Sequence, residues 1–476
     1  MASPTSGSPT PSATENSGHA LSAVVKGAGP SGLAAAIALA QSGFNVHVVD
    51  KRPRRPIGLG RKNMVALRPE ALRQLDVLGA LKYALSAENK NGNLGCLTRM
   101  TEGRTTNEID GSVFEWPLKR YPGAEPIELI SDGSRYNYEI PSKISEQVPS
   151  SFINLGDLED CLAQAAEDLG VQISYTATVH LSRDGISNIF SANLESNTGS
   201  TTNLGTPTLI VCASGKNDPS VTDELKVDRL SRAVLSDANL SVPADLTKPF
   251  ILNLQDTTSE PLESQLYSVF GIKYPTLPIG TLNHVIRAYI SDANLSQPIT
   301  EIQMNHATAA HFILQHPRSD PPLHADTQAL ETYILGRIND RLGTDYLSVS
   351  QLSESGNIVW GEPLVPITVE TVTARQFVYG ENVVLVGDCA MSCSPSSGLG
   401  ADIGMTVDSQ SVRVLAEALK DARTCGEHAQ ERRREALVRF NRMKAESAVV
   451  WSQGSRMFYL TAGEAEGILD RQRGGI

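Results

Sequence analysis

Two clusters of residue types in this sequence could do chemistry, and both are built to hold phosphate and hydroxyl groups. The first is Gly27-Ala28-Gly29-Pro30-Ser31-Gly32, with Asp50 following after residues 33 to 49. A G-x-G-x-x-G turn presents backbone N–H groups and a helix N-terminus to a pyrophosphate, and an acid at that distance can accept hydrogen bonds from ribose hydroxyls. The second is Gly387-Asp388 followed by Ser394-Pro395-Ser396-Ser397-Gly398-Leu399-Gly400. There an acid can bind a polyhydroxylated chain, while glycine backbone and a helix dipole face a phosphate or an electron-rich ring edge. Arg61, in a loop, can serve as a surface charge or as a contact to phosphate or a second nucleotide.

The surrounding elements decide whether these residues can act. A lone glycine turn is weak evidence, since a surface turn looks the same. Here the apolar run Leu21 to Val25 reads as a strand, an alanine-rich helix runs to about Gln41, and Val46 to Asp50 reads as a second strand. Strand, turn, helix, strand and acid together are the dinucleotide-binding fingerprint in its proper setting. A proline-broken basic segment, Lys51 to Pro56, comes next, and a helix is expected over Pro69 to Leu81 from Leu72, Leu75 and Leu78.

Residues 84 to 150 lose periodicity, with strand-like pieces at Val113 to Trp116 and Ile127 to Ile130. Order returns with Ser151 to Leu155, a helix over Asp157 to Leu169 capped by Asp157, and a strand over Val171 to Tyr175. The apolar run Thr208 to Ala213 has the character of a buried parallel strand, so these pieces should rejoin the first sheet. From Val227 to Arg375 the pattern is β-rich, with one helix over Thr327 to Leu342. A buried strand, Asn382 to Val386, then delivers Gly387-Asp388, and a long amphipathic helix begins near Glu427 with its arginines read as a solvated face.

Composition sets outer bounds. The chain has 476 residues, 40% of them hydrophobic and 20% charged, which suits a soluble protein of two or three domains. A formal net charge of -12 argues against nucleic acid or an anionic membrane as partner, and no apolar run is long enough to span a bilayer. Residues 1–20 read as a disordered tail without a secretory or transit signal, so a cytoplasmic location is expected. The six cysteines are scattered rather than framed for disulfides, and no metal-ligand spacing accompanies Cys389 and Cys393, which read as small buried residues.

With both clusters in hand, the chain resembles the p-hydroxybenzoate-hydroxylase-like (class A) FAD-dependent monooxygenases over Val24 to Gly79, Ile153 to Gly215 and Val383 to Asp408. The resemblance implies an α/β fold: a Rossmann-type FAD-binding domain with an interleaved antiparallel β-sheet substrate domain and C-terminal helices. The expected division is 21–83, 151–216 and 376–422 for FAD, 84–150 and 217–375 for substrate, and 423–476 as a helical segment. It implies FAD contacts at Gly27, Gly29, Pro30, Ser31, Gly32, Asp50, Lys51, Arg61, Gly387, Asp388, Pro395, Gly398, Leu399 and Gly400. NAD(P)H is the implied reductant, and the implied reaction is hydroxylation or epoxidation of a small organic, secondary-metabolite substrate through a flavin hydroperoxide.

The chain departs from the family pattern at three places. Ser214-Gly215 stands where members usually have an aspartate-glycine pair, Gly156 where they have arginine or glutamine, and Met391 where they have histidine. These departures weaken the case for hydride delivery and motivate a second reading, a non-redox FAD-bound cyclase like the [4+2] dialkyldecalin synthases of that family. A third reading is an FAD-binding protein without catalysis. No catalytic residue is assigned: His284, Arg287 and Tyr289, on a strand-like segment that reaches the cofactor face in only one register, are read as surface or satisfied core residues, and Trp116 and Trp360 fit an apolar pocket or core packing equally well.

Overall fold

Five apolar segments from across the chain come together in one parallel sheet, although the first and last lie more than three hundred residues apart. In the computed structural model, β1 (Ser22–Lys26) pairs with β2 (Asn45–Asp50) on one side and with Leu209–Cys212 on the other. Gln172–Tyr175 adds outside β2, Val383–Leu385 adds outside Leu209–Cys212, and Val378–Tyr379 closes that edge antiparallel. In chain order the parallel strands lie 3-2-1-4-5, so the order reverses between β1 and Leu209–Cys212. Ligands of open α/β sheets bind at such a switch point.

The structure describes most of residues 21–86, 151–230 and 372–392, all of 399–457, and in between a set of strands and three helical positions. Burial explains the sequence of the central strands. Every residue of Leu209–Cys212 and of Val383–Leu385 is buried, as expected when helices cover both faces of a parallel sheet. The helix α1 (Pro30–Gln41) is alanine-rich because it is sunk in the core: Gly32 to Leu39 are all buried. Small side chains let it contact β1, the helix Leu155–Asp168 and the helix Ser409–Thr424 together.

Several sequence expectations are corrected in detail. The helix expected over Pro69 to Leu81 is two helices, Pro69–Val77 and Leu81–Ser86, separated at Gly79, whose φ of 74° is left-handed. The helix expected from Asp157 starts at Leu155, with Asn154 at the cap position. Asp157 sits inside the first turn and accepts from Asn154 Nδ2 at 3.1 Å. The C-terminal helix, Ala429–Met457, is not solvated along its whole basic run, because Arg433 donates to Thr208 O at 2.7 Å and Glu381 O at 3.2 Å. A three-stranded antiparallel sheet, Ala177–Arg183, Phe190–Ser196 and Thr201–Gly205, lies in the chain between two strands of the parallel sheet and was not among the expected elements.

Buried Asn382 staples that small sheet to the large one. It donates from Nδ2 to Phe190 O at 2.8 Å and to Pro207 O at 3.2 Å, and its Oδ1 accepts from Phe190 N at 2.9 Å. Asn382→Ala strands all three backbone groups away from water. The expected result is a loss of about 2 kcal/mol or more, read as a lower urea midpoint with an unchanged slope.

The β-rich region contains the sheet expected there. Its order is Ile286–Ile290, Thr300–Asn305, Ala309–Gln315, Ser264–Lys273 and Ile358–Gly361, with Ile367–Glu370 also pairing Ser264–Lys273. All pairs are antiparallel. Arg287 and Tyr289 fall in the first of these strands and Trp360 in Ile358–Gly361, whereas His284 and Trp116 lie outside the described residues. Of the helix expected over Thr327 to Leu342, the described positions Gln328, Thr332 and Leu335 are helical.

Candidate dinucleotide site

The first glycine turn closes because β1 must reverse into α1 while touching the next strand. Gly27 has φ 107°, and a β-carbon on it would stand 2.6 Å from Ala213 O. Only glycine fits there. Gly29 differs: among the described residues a β-carbon built on it meets nothing within 4 Å except Glu159 Oε1 at 3.9 Å. The turn is therefore packed against protein at Gly27 and open on the side of Gly29.

Beside that open side lies a cavity of about 210 Å³, lined by Ala28, Asp50, Arg52, Arg61, Glu159 and Tyr175 among others. Asp50 ends β2 at its edge, 5% exposed. Its Oδ2 accepts from Ala28 N at 2.6 Å and Arg52 Nη2 at 2.9 Å, and its Oδ1 accepts from Arg52 N at 2.7 Å and Arg52 Nε at 3.0 Å. A carboxylate offers about four acceptor positions, so Asp50 is saturated. Burial pushes its carboxyl pKa up, but the Arg52 side chain and the two backbone N–H groups outweigh that and hold it below the usual carboxylate range. Lys51 is exposed and does not line this cavity; Arg52, the next residue, faces it.

Arg61 is brought in by a glycine-on-glycine contact that the sequence did not reveal. A β-carbon on Gly156 would stand 2.5 Å from Gly60 Cα, and Gly156 N donates to Arg61 O at 2.9 Å. The loop carrying Arg61 thus rests on the first turn of the helix Leu155–Asp168. This is the physical reason for glycine at position 156, where the family pattern has a long polar side chain. Arg61 pairs with Glu159 through Nη2, and through Nε at 3.4 Å.

The second glycine segment meets the first across Ser31. Ser31 Oγ lies 2.8 Å from where a Gly387 β-carbon would be, and it is also the nearest neighbour of Gly404. Gly387, at φ 58°, donates its N–H to Asp408 Oδ2 at 2.7 Å, and Asp408 Oδ1 is paired with Lys444 of the C-terminal helix. Asp388 is open to solvent on this turn, yet enough protein surrounds it that desolvation raises its carboxyl pKa, against the lowering pull of Arg61, Lys216 and Arg229. Arg229 donates to Asp388 O at 3.5 Å and Lys216 O at 3.3 Å, and Cys389 Sγ donates to Gly215 O at 3.2 Å. Ser214-Gly215-Lys216 is therefore fastened to the Asp388 turn without the family's aspartate. Buried Cys389, its thiol pushed up to about 12 by desolvation, is inert at neutral pH.

Pro395 and Gly398 lie outside the described residues, and Leu399 and Gly400 open the short helix Leu399–Ile403. Among the described residues no group of three or more His, Cys, Asp or Glu could hold a metal ion, and no helix is long and apolar enough to cross a membrane. Sequence reasoning missed Lys26, Arg52, Glu159, Arg229, Asp408 and Lys444. Lys26 alone had a visible signal, a charge ending an apolar strand. It is buried, pairs with Asp218 at 2.8 Å and donates to Val179 O at 2.6 Å.

Two glycine segments meeting at the switch point of a 3-2-1-4-5 sheet, with an acid ending the second strand, define a dinucleotide-binding α/β protein. Residues 20–242 match the family model described as FAD binding domain, so this part of the chain is an FAD-binding domain. No curated protein matches the chain by sequence. Among solved structures it is similar to PqsL of Pseudomonas aeruginosa, described as a probable FAD-dependent monooxygenase, at 14% identity and a TM-score of 0.57 over 95% of this chain and 99% of that one. It is also similar to aklavinone-11 hydroxylase in complex with FAD and aklavinone, at 14% identity and a TM-score of 0.53 over 84% of this chain and 63% of that one. The fold is that of the p-hydroxybenzoate-hydroxylase-like flavoproteins, as the sequence resemblance implied.

Proposed function

We propose that this protein is an FAD-dependent monooxygenase that hydroxylates or epoxidises a small organic substrate of secondary metabolism, with NAD(P)H as reductant. The observation that carries the reading is the meeting of the two glycine segments across Ser31, with Arg61 paired to Glu159 and its charge opposing the pull of burial on the Asp388 carboxyl. The residues fit the cofactor. Gly29 leaves its side of the turn open, and the α1 N-terminus adds N–H groups and a partial positive charge suited to a pyrophosphate. Asp388, held open to solvent by the Arg229 and Asp408 contacts on its turn, is suited to a ribityl hydroxyl.

Bound FAD would supply the electron storage and oxygen activation that amino-acid side chains lack. The protein's own work is positioning and charge. Arg61 and the glycine N–H groups anchor the phosphates, the Arg229 clamp fixes the Ser214 to Lys216 loop, and the antiparallel sheet supplies a wall that keeps water from the substrate. In this reading residues 21–83, 151–216 and 376–422 form the cofactor domain, and 84–150 and 217–375 the substrate domain. The solved PqsL complex with 2-aminobenzoylacetate and the hydroxylase complex with aklavinone support a small organic substrate.

The test is anaerobic. Purified protein should show an oxidised flavin spectrum, and its visible band should bleach on addition of NADH or NADPH in the presence of a turned-over substrate. A flavin that stays oxidised across both nucleotides and a substrate panel would defeat the monooxygenase reading.

A further inference from the structure

A carboxylate stands beside the open side of the glycine turn, on the same arginines that a pyrophosphate would use. Among the described residues, Glu159 Oε1 is the atom that comes within 4 Å of a β-carbon built on Gly29. The same oxygen accepts from Arg52 Nη1 at 3.3 Å and from Arg61 Nη2, while Oε2 accepts from Arg61 Nε at 3.4 Å. Arg52 also donates from Nε and Nη2 to Asp50. Asp50, Arg52, Glu159 and Arg61 thus form one alternating chain of charge along the mouth of the cavity.

We infer that Glu159 is a built-in competitor for the phosphates of the dinucleotide and sets the affinity of this site. The inference rests on the reading of the site as an FAD site. Of the residues lining the cavity, Arg52, Arg54, Arg55 and Arg61 oppose Asp50, Glu159 and Asp160, leaving one net positive charge for a pyrophosphate that carries two negative ones. A phosphate settling over Gly29 has to take guanidinium edges that Glu159 holds, and it meets the Glu159 charge at short range. The Glu159 side chain is 17% exposed, so it has solvent to turn toward when displaced. FAD is in consequence a dissociable ligand, exchanging against an internal anion rather than entering a site of free cations.

The experiment compares full-length wild type with Glu159→Gln, which keeps the shape and removes the charge, and with Glu159→Ala. Each is titrated with FAD, with ADP as a pyrophosphate probe lacking the flavin, and with riboflavin as a probe lacking phosphate. The expected result is a Kd about tenfold lower for FAD and for ADP in both variants, with riboflavin unchanged. The salt dependence of FAD binding should steepen as arginine edges are released to the phosphates. The ligand-free variants should melt no higher than wild type, because ion pairs have been lost. Tighter binding by a protein that is no more stable is something a merely structural role cannot produce. Equal or weaker binding of FAD and ADP in the variants, with wild type binding both, would overturn the inference and leave the FAD reading intact. Wild type that binds neither FAD nor ADP would overturn both.

Discussion

Asp408→Ala is expected to destabilise the protein by about 3–5 kcal/mol and to release its flavin. The Asp408 and Lys444 side chains are 0% and 2% exposed, so removal of the carboxylate leaves an ammonium buried without its counter-charge. It also strands the N–H of Gly387, which Asp408 Oδ2 accepts at 2.7 Å. The second loss connects stability to function. Gly387 holds a left-handed φ of 58° one residue before Asp388, and the bond to Asp408 fixes its N–H. Urea unfolding reads the first effect and flavin fluorescence on dilution reads the second. The paired replacement Asp408→Asn with Lys444→Met should recover much of the stability, since no charge is then left buried alone. A single variant that melts with wild type would show that the pair does not hold the turn.

The second large effect is expected where the chain departs from the family pattern it resembles. Gly156→Gln introduces the polar side chain of the pattern the sequence resembles, yet it should destabilise by about 3 kcal/mol and weaken FAD binding. A β-carbon at 156 meets the backbone of Gly60 and Arg61, which has no flexible end to yield, so the loop carrying Arg61 has to lift off the helix. Gly156→Ala should show most of the same loss, because the clash is at the β-carbon. Thermal melting and an FAD titration of both variants check this. Improved flavin binding by Gly156→Gln would mean the glycine pair can open without harm. The position is therefore a committed structural choice, and its effect on flavin reduction has to be sought at Ser214 and Met391 instead.

How much was legible in the sequence follows the range of the forces involved. The turn at Gly27 to Gly32, the acid Asp50 and the buried strands Leu209–Cys212 and Val383–Leu385 were all readable, because turn geometry and burial on both faces of a sheet act over a few residues. Gly79 was legible as loosening the end of a helix, but the second helix beyond it was not, because the leucine spacing runs on to Leu81 without marking a new start. The small sheet Ala177–Gly205 was overlooked although Ala177–Arg183 and Phe190–Ser196 alternate apolar and polar residues, with Ala177, Val179, Leu181, Phe190 and Ala192 on the buried side.

Sequence by itself determined the class of fold, the two phosphate- and hydroxyl-binding segments, and the cofactor they imply. Tertiary structure alone decided what surrounds them. Asp50 is saturated by Arg52, Arg61 is held by Glu159, Gly156 packs on Gly60, and Asp408 joins Gly387 to Lys444. These pairings join residues from 2 to 98 positions apart, and apart from the first none follows from local spacing. A charged side chain chooses its partner only after burial has removed water as the alternative.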